Sequence, residues 1–309
     1  MTDETIRVGG QAVIEGVMMR TPGALAVAVR KPGGEITIKT RTLTAPSARP
    51  WILRLPIIRG IVMLCQSLSL GIQALNFSAN ESLEEEETTF GVVSLSLTLV
   101  AAFALGIGLF VYLPLLLTNL LKQVIPPVAA SSLLFNLIDG VIRIVFFLAY
   151  IFGISLIKDL RRVFEYHGAE HKTIYAYEHG DELTSEHAEK YSTLHPRCGT
   201  NFLLIVMLLS ILVFSVLRSD TAFYIKFLSR LVCIPLIAGI SYEIIRFAGK
   251  NQEKTWVRWI TTPGLYLQKI TTKPPSRAQL EVAISALQEA LKLEKEHHAP
   301  VRDPFEIVL

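Results

Sequence analysis

Apolar residues run unbroken over two long stretches of this chain and alternate with polar ones near its start. That pattern alone separates membrane-length helices from a small sheet. Gly91 to Leu121 holds 31 residues without a charge, and Cys198 to Leu217 holds 20. A bilayer core of roughly 30 Å needs about 20 apolar residues of helix, so both stretches predict transmembrane helices. Leu133 to Ile157 carries only Asp139 and Arg143, spaced to pair on one helix face. Ala222 to Phe247 keeps Lys226, Arg230, Glu243 and Arg246 near its ends. Four spans result, and Asp139 and Arg230 should lie at similar depth, where an interhelical ion pair is more economical than an ion pathway.

Residues 6–44 follow a different period. IRVGGQAVIEGVMMR and ALAVAVR are rich in Val and Ile, and KPGG precedes EITIKTRTL as a hairpin turn. Trp51 to Phe77 is apolar enough to suggest a fifth crossing. It reads better as an interfacial or re-entrant helix with Arg54 and Arg59 at the headgroups, because crossing there would carry nine basic residues outward. Glu81 to Glu87, with five glutamates, is a solvated lead-in to the first span or a cation-binding run. Beyond the last span, TTPG at Thr261 to Gly264 reads as a turn. Ser276 with Gln279 forms a capping box, and Leu280, Ile284, Leu287 and Leu291 make a helical stripe that packs on the cytoplasmic part or on a second copy of the chain.

Charge then orients the whole. With four spans, 25 of the 30 Lys and Arg fall within 1–59, 158–199 and 246–309, which places both termini and the central loop in the cytoplasm. The expected class is an α-helical polytopic membrane protein with four transmembrane helices and a small N-terminal β-rich cytoplasmic part. Its divisions are a β-rich segment at 1–50, an interfacial helix at 51–80, spans one and two at 90–157, a His-rich loop at 158–199, spans three and four at 200–247, and a tail at 248–309. Composition agrees, with 51% hydrophobic and 18% charged residues against about 25% charged in a soluble domain. MTDETIRVGGQ lacks the apolar run of a signal peptide. A net charge of +3 is too mild for nucleic acid, and three scattered cysteines describe no disulfide framework. The absence of internal repeats disfavours transport.

Five of the seven histidines lie between 167 and 195. Their eight-residue recurrence drifts by about 80° on a helix and carries nothing. The i, i+4 pair in His167-Gly168-Ala169-Glu170-His171 is different. It puts two imidazoles on one helical face beside a carboxylate, the H-x-x-E-H pattern of a metallopeptidase family. Zinc with three protein ligands and an open position is the usual catalytic set. The alternatives are a hydrogen-bonded structural cluster and acid–base work without metal, and Gly168 weakens the helix the motif needs. Glu243, an ionisable group near the cytoplasmic end of span four, is a candidate third ligand, or it pairs with Arg246. His195 is the other candidate ligand. Cys198 can be a thiolate ligand, a nucleophile beside His195, or a plain interfacial cysteine. Glu15, a lone carboxylate in an apolar strand, either pairs with a base such as Arg20 or serves the site.

GGQAVIEGVMMR (9–20), EYHGAEHKTIYAYE (165–178), HPRCGTNFL (195–203) and SYEIIRF (241–247) together resemble the bacterial YqhQ-like family, a domain of unknown function, over nearly the whole chain. The resemblance implies a metal-dependent enzyme of the membrane without an established substrate, with His167, Glu170, His171, His195 and Cys198 as the matching positions. The expectation is a zinc-dependent hydrolase at the cytoplasmic face of the bacterial inner membrane, with Glu170 as general base and a membrane-protein or peptide substrate. The rival is a non-enzymatic scaffold whose loop, sheet and amphipathic helix form a docking platform.

Overall fold

The structure is a computed structural model that describes residues 6–43, 50–83, 92–251 and 254–297. The glutamate run beyond residue 83 lies outside the described residues.

Four antiparallel strands, β1 (Gly9–Val13), β2 (Gly16–Arg20), β3 (Ala24–Arg30) and β4 (Ile36–Thr42), pair in sequence order. Alternation sends Val17, Met19, Ala26 and Ala28 to one face and Met18, Leu25, Val27 and Val29 to the other. Both faces are covered, which is why β2 and most of β3 are buried. The KPGG turn closes β3 on β4, with Gly34 at a φ of 89° that suits glycine.

One face meets α6 (Lys158–Glu178) and α11 (Arg277–His297) through Tyr166, Ala169, Leu280, Ile284 and Leu287. The capping box forms at the start of α11, where Gln279 N–H donates to Ser276 Oγ at 3.3 Å and Ser276 N–H to Gln279 Oε1 at 2.8 Å. The other face meets α1 (Ile58–Glu81) through Leu70, Ala74 and Phe77.

The remaining helices form a bundle. α2 (Val92–Ile107) runs through a π-turn into α3 (Leu113–Val124), and the short α4 (Pro126–Ala130) leads to α5 (Ser132–Ser155). A second pair, α8 (Thr200–Ser215) and α9 (Phe223–Lys250), packs beside α5. Asp139, buried in α5, meets Arg143 at 2.7 Å and Arg230 of α9 at 3.3 Å.

Among the described residues four helices are long and apolar enough to cross a membrane, namely Ile58–Glu81, Ser96–Val124, Ser132–Ser155 and Phe223–Lys250. The number matches expectation and the membership differs. The expected third span becomes a helix of 16 residues, about 24 Å long, because Cys198 and Gly199 are taken into a turn ahead of it. α1 is long and apolar enough instead, and one side of it is packed against protein along both halves. Gly60 approaches Tyr242 and Gly239 of α9 so closely that a Cβ would lie 2.8 Å from Tyr242 Cβ, while the C-terminal half lies on the sheet.

A second difference concerns Thr261 to Gly264. These residues form no turn but lie inside α10 (Thr255–Thr271), which continues through Pro263. Gly264 is there because a side chain would collide with Asn201 of α8.

Candidate metal centre

The segment expected as a loop is largely the helix α6, and its i, i+4 spacing sets the rings of His167 and His171 4.4 Å apart, centroid to centroid. Each ring is fixed from behind. His167 Nδ1 lies 2.9 Å from the Thr271 carbonyl oxygen and His171 Nδ1 2.5 Å from that of Thr193. A carbonyl only accepts, so each Nδ1 carries the proton and donates it, and each Nε2 keeps a free lone pair. This is the outer-shell arrangement that orients imidazoles towards a metal.

Gly168 makes that arrangement possible. A Cβ there would collide with the Lys273 carbonyl and stand 3.2 Å from Thr193 Cγ2. The two segments that supply the fixing carbonyls therefore cross α6 at the one residue without a side chain. Glycine weakens the helix by about 1 kcal/mol relative to alanine, and close approach explains its presence.

Cys198 completes the group. Its Sγ lies 3.2 Å from His167 Nε2, and one ligand atom from each of His167, His171 and Cys198 falls within 4.8 Å of the others. The Thr200 N–H and hydroxyl lie 3.5 and 3.3 Å from the sulfur, donors that favour thiolate. A thiol has one proton and can satisfy only one imidazole. His171 Nε2 is buried without a hydrogen-bond partner, a cost that needs an explanation. Two imidazole nitrogens and a sulfur converging on an unfilled acceptor are a donor set that fits a divalent cation.

Glu170 sits beside this group, buried against β1. Burial pushes its carboxyl up to about 8, with Cys198 adding to the rise and the neighbouring His167 ring and the Gly10 N–H it accepts offsetting it in part. The fit requires Gly10, since a Cβ there would lie 2.9 Å from Glu170 Cγ and 2.8 Å from the Met18 carbonyl. Glu170 Oε2 has no partner. Around these groups lies a cavity of about 570 Å³ walled by β1, α1, α6 and the start of α8.

His195 lines the same cavity but is otherwise engaged. Gln268 of α10 clamps its backbone, accepting from the N–H at 2.8 Å and donating to the carbonyl at 2.9 Å. Its Nδ1 accepts from the Arg197 N–H at 3.3 Å, and its Nε2 lies 3.5 Å from Glu178. Burial pulls its pKa down to about 4. His195 is a neutral neighbour of the three-atom group rather than a member of it.

Two carboxylates are not brought to the cavity. Glu243 is held by Arg59 of α1, whose Nε donates at 2.7 Å and whose Nη2 makes a second contact, with Arg246 farther off at 4.0 Å. The position expected of Glu243 is filled by Cys198. Glu15 lies in the two-residue turn between β1 and β2 with a φ of 51°, not in a strand. Arg162 rather than Arg20 pairs with it, and Tyr166 Oη donates to it at 3.2 Å. Sequence reasoning missed Gln268, Gly10 and the carbonyls of Thr193 and Thr271. The only trace of the carbonyls was the misplaced-looking glycine inside the histidine motif.

Fold and site together define a mostly helical protein in which a small covered sheet and a bundle of apolar helices meet around a His/His/Cys cluster. A family model described as "Protein of unknown function (DUF1385)" matches residues 55–293, and the chain belongs to this family. It is 31% identical over 299 residues, covering 93% of this chain and 92% of the relative, to a Bacillus subtilis protein named "Uncharacterized protein YqhQ". No solved structure matches. The family match includes all three members of the cluster and Glu170, and excludes β1, which supplies Gly10.

Proposed function

We propose that this protein is a zinc-dependent hydrolase of the bacterial cytoplasmic membrane, with its centre on the cytoplasmic side. The observation that carries the reading is the locked pair of imidazoles, whose Nε2 atoms and the Cys198 sulfur converge while His171 Nε2 lacks a partner. Mixed nitrogen and sulfur ligands suit zinc, which as a Lewis acid polarises a carbonyl and makes water acidic. Glu170 is the acid–base group, because a carboxyl near 8 exchanges its proton close to neutral pH.

In this reading α2 with α3, α5, α8 and α9 cross the bilayer, and α1 lies at the interface, since its C-terminal half packs on the sheet and a crossing there would carry the basic N-terminal segment outward. The basic segments then lie inside, together with both termini, the sheet, α6 and α11. The scaffold alternative loses support from α11, whose apolar stripe is buried within the chain and offers no docking face.

Elemental analysis of purified protein tests the centre. The expected result is one zinc per chain, lost in His171→Ala and in Cys198→Ala and kept in Glu170→Gln. Absence of stoichiometric metal from wild type, or its retention in both ligand variants, would overturn the reading.

A further inference from the structure

The cavity is lined by reactive side chains and by apolar ones. His167, Glu170, His171 and Cys198 are the reactive ones. Val163 and Phe164 of α6, with Leu64 and Leu68 of α1 and Leu203 of α8, are apolar, and Arg20 of β2 with Ser67 of α1 adds a polar pair to the wall. Leu68 and Leu203 stand at the rim, 47% and 44% exposed. Leu203 belongs to the first turns of an apolar bundle helix, and Leu68 to the helix that runs between bundle and sheet. The mouth therefore opens at the level where the bundle gives way to the soluble layers, the depth at which a lipid headgroup passes into its acyl chains.

A volume of about 570 Å³ falls within the roughly 300–1,000 Å³ usual for small-molecule sites. A hydrocarbon chain matches the apolar part of this wall, and Arg20 with Ser67 leaves a polar place for the group at its head. We propose that the cavity takes the acyl chain of a membrane lipid, entering sideways from the bilayer, so that its ester carbonyl stops at the His/His/Cys cluster. The chemistry, though not the binding, rests on the hydrolase reading above. One water suffices for the step. The bond between acyl carbon and ester oxygen breaks, hydroxide joins the acyl carbon, and the remaining proton goes to the departing alkoxide, giving a fatty acid and an alcohol.

The test uses full-length protein in vesicles containing a phospholipid with a photoreactive diazirine on its acyl chain, followed by mass-spectrometric mapping of adducts. The exposed Leu68 and Leu203 would touch lipid whether or not the cavity is filled, so the informative positions are Val163, Phe164 and Ile174, which line the cavity and are less exposed. Adducts are expected there, reduced at least fivefold in Leu64→Trp and in Leu68→Trp, two separate variants that fill the entrance while zinc stays stoichiometric. His171→Ala is expected to lose zinc and keep the adducts. Labelling confined to the rim, or inner adducts that survive both tryptophan variants with zinc in place, would overturn the acyl-chain assignment and leave the metal reading standing. Inner adducts on a protein that never carries zinc would do the reverse. An apolar photoreactive peptide that labels the inner positions in place of the lipid would also overturn it.

Discussion

The described residues bury two groups of ionisable side chains that are assembled on opposite rules. In the bundle, Asp139 faces Arg143 at 2.7 Å and Arg230 at 3.3 Å, Asn136 accepts from Arg230 at 2.8 Å, and both guanidiniums lie over the Phe214 ring at 4.8 and 5.3 Å. Opposite charges and a π face account for their being together. Beside the sheet, His167, His171 and Cys198 present lone pairs to one another, with Glu170 close by. Within that second group only the single Cys198 thiol hydrogen draws it together, between two imidazoles. The rest of its holding comes from outside, from the carbonyls of Thr193 and Thr271 and the Gly10 N–H, and the proposed cation at the focus would supply the missing attraction.

The most damaging way to probe this difference is to remove the anion from the bundle. Asp139→Asn leaves two buried guanidiniums facing a neutral group, and breaking such a set typically costs about 3–5 kcal/mol. Thermal unfolding in detergent should show a large drop in Tm, with zinc per folded chain unchanged. An unchanged Tm would mean that the pairing contributes nothing. The second cluster should answer to a chelator instead. Stabilisation by a metal present at 100 times its Kd is about 2.7 kcal/mol, so chelation should lower the wild-type Tm and leave that of Cys198→Ser unmoved. A chelator-sensitive Cys198→Ser protein would place the cation elsewhere.

Protonation offers a gentler probe of the same cluster. Glu170 lies near 8 in the fold against an ordinary carboxyl value of 4.5, so its raised pKa favours the folded state fully below 4.5 and loses that contribution as pH rises to 8. His171 and His195 are both pulled below their ordinary value of 6.5 by burial, so they weaken the fold only in acid. Between pH 6.5 and 8 Glu170 acts without them, and Cys198→Ser removes the thiol, whose lowered pKa would otherwise add stability as pH rises. At about 1.36 kcal/mol per pH unit, the chelated Cys198→Ser protein should lose about 2 kcal/mol across that window, read as a falling Tm. Adding Glu170→Gln should flatten it, and a double variant that still tracked the slope would assign it to another group.

Much of this was legible in the sequence, and the boundary has physical causes. Val- and Ile-rich runs with a hairpin turn found the sheet, charge-free length found the bundle, and the stripe with its capping box found α11, because each is a local rule. The i, i+4 spacing likewise paired His167 with His171. What failed was whatever depends on distant chain segments. Length alone cannot tell that α1 is spent against α9 and the sheet, or that a turn takes Cys198 and Gly199 away from α8. Thr193 and Thr271 act through carbonyls that every residue possesses, and Gln268 matters only because α10 passes His195. Gly168 was visible and was read as a flaw, since the chain that crosses it lies about a hundred residues away in sequence.

Glu243 gives the smallest effect and the sharpest separation of the two kinds of cluster. It sits at the end of α9 where the bundle meets α1, and it belongs by its contacts to the paired kind, with Arg59 at 2.7 Å and Arg246 at 4.0 Å. Its side chain is 24% exposed and that of Arg59 is 16% exposed, so solvent screens the pair and its contribution should be about 1 kcal/mol or less. Glu243→Gln keeps the shape and removes the charge. The expected outcome is a Tm lowered by a few degrees, zinc stoichiometry unchanged, and partial recovery when Arg59→Gln is added, because the second substitution removes the cation left without its partner. Loss of zinc from Glu243→Gln would instead make it a ligand in a state where Arg59 has let go, and α1 would then be the element that moves.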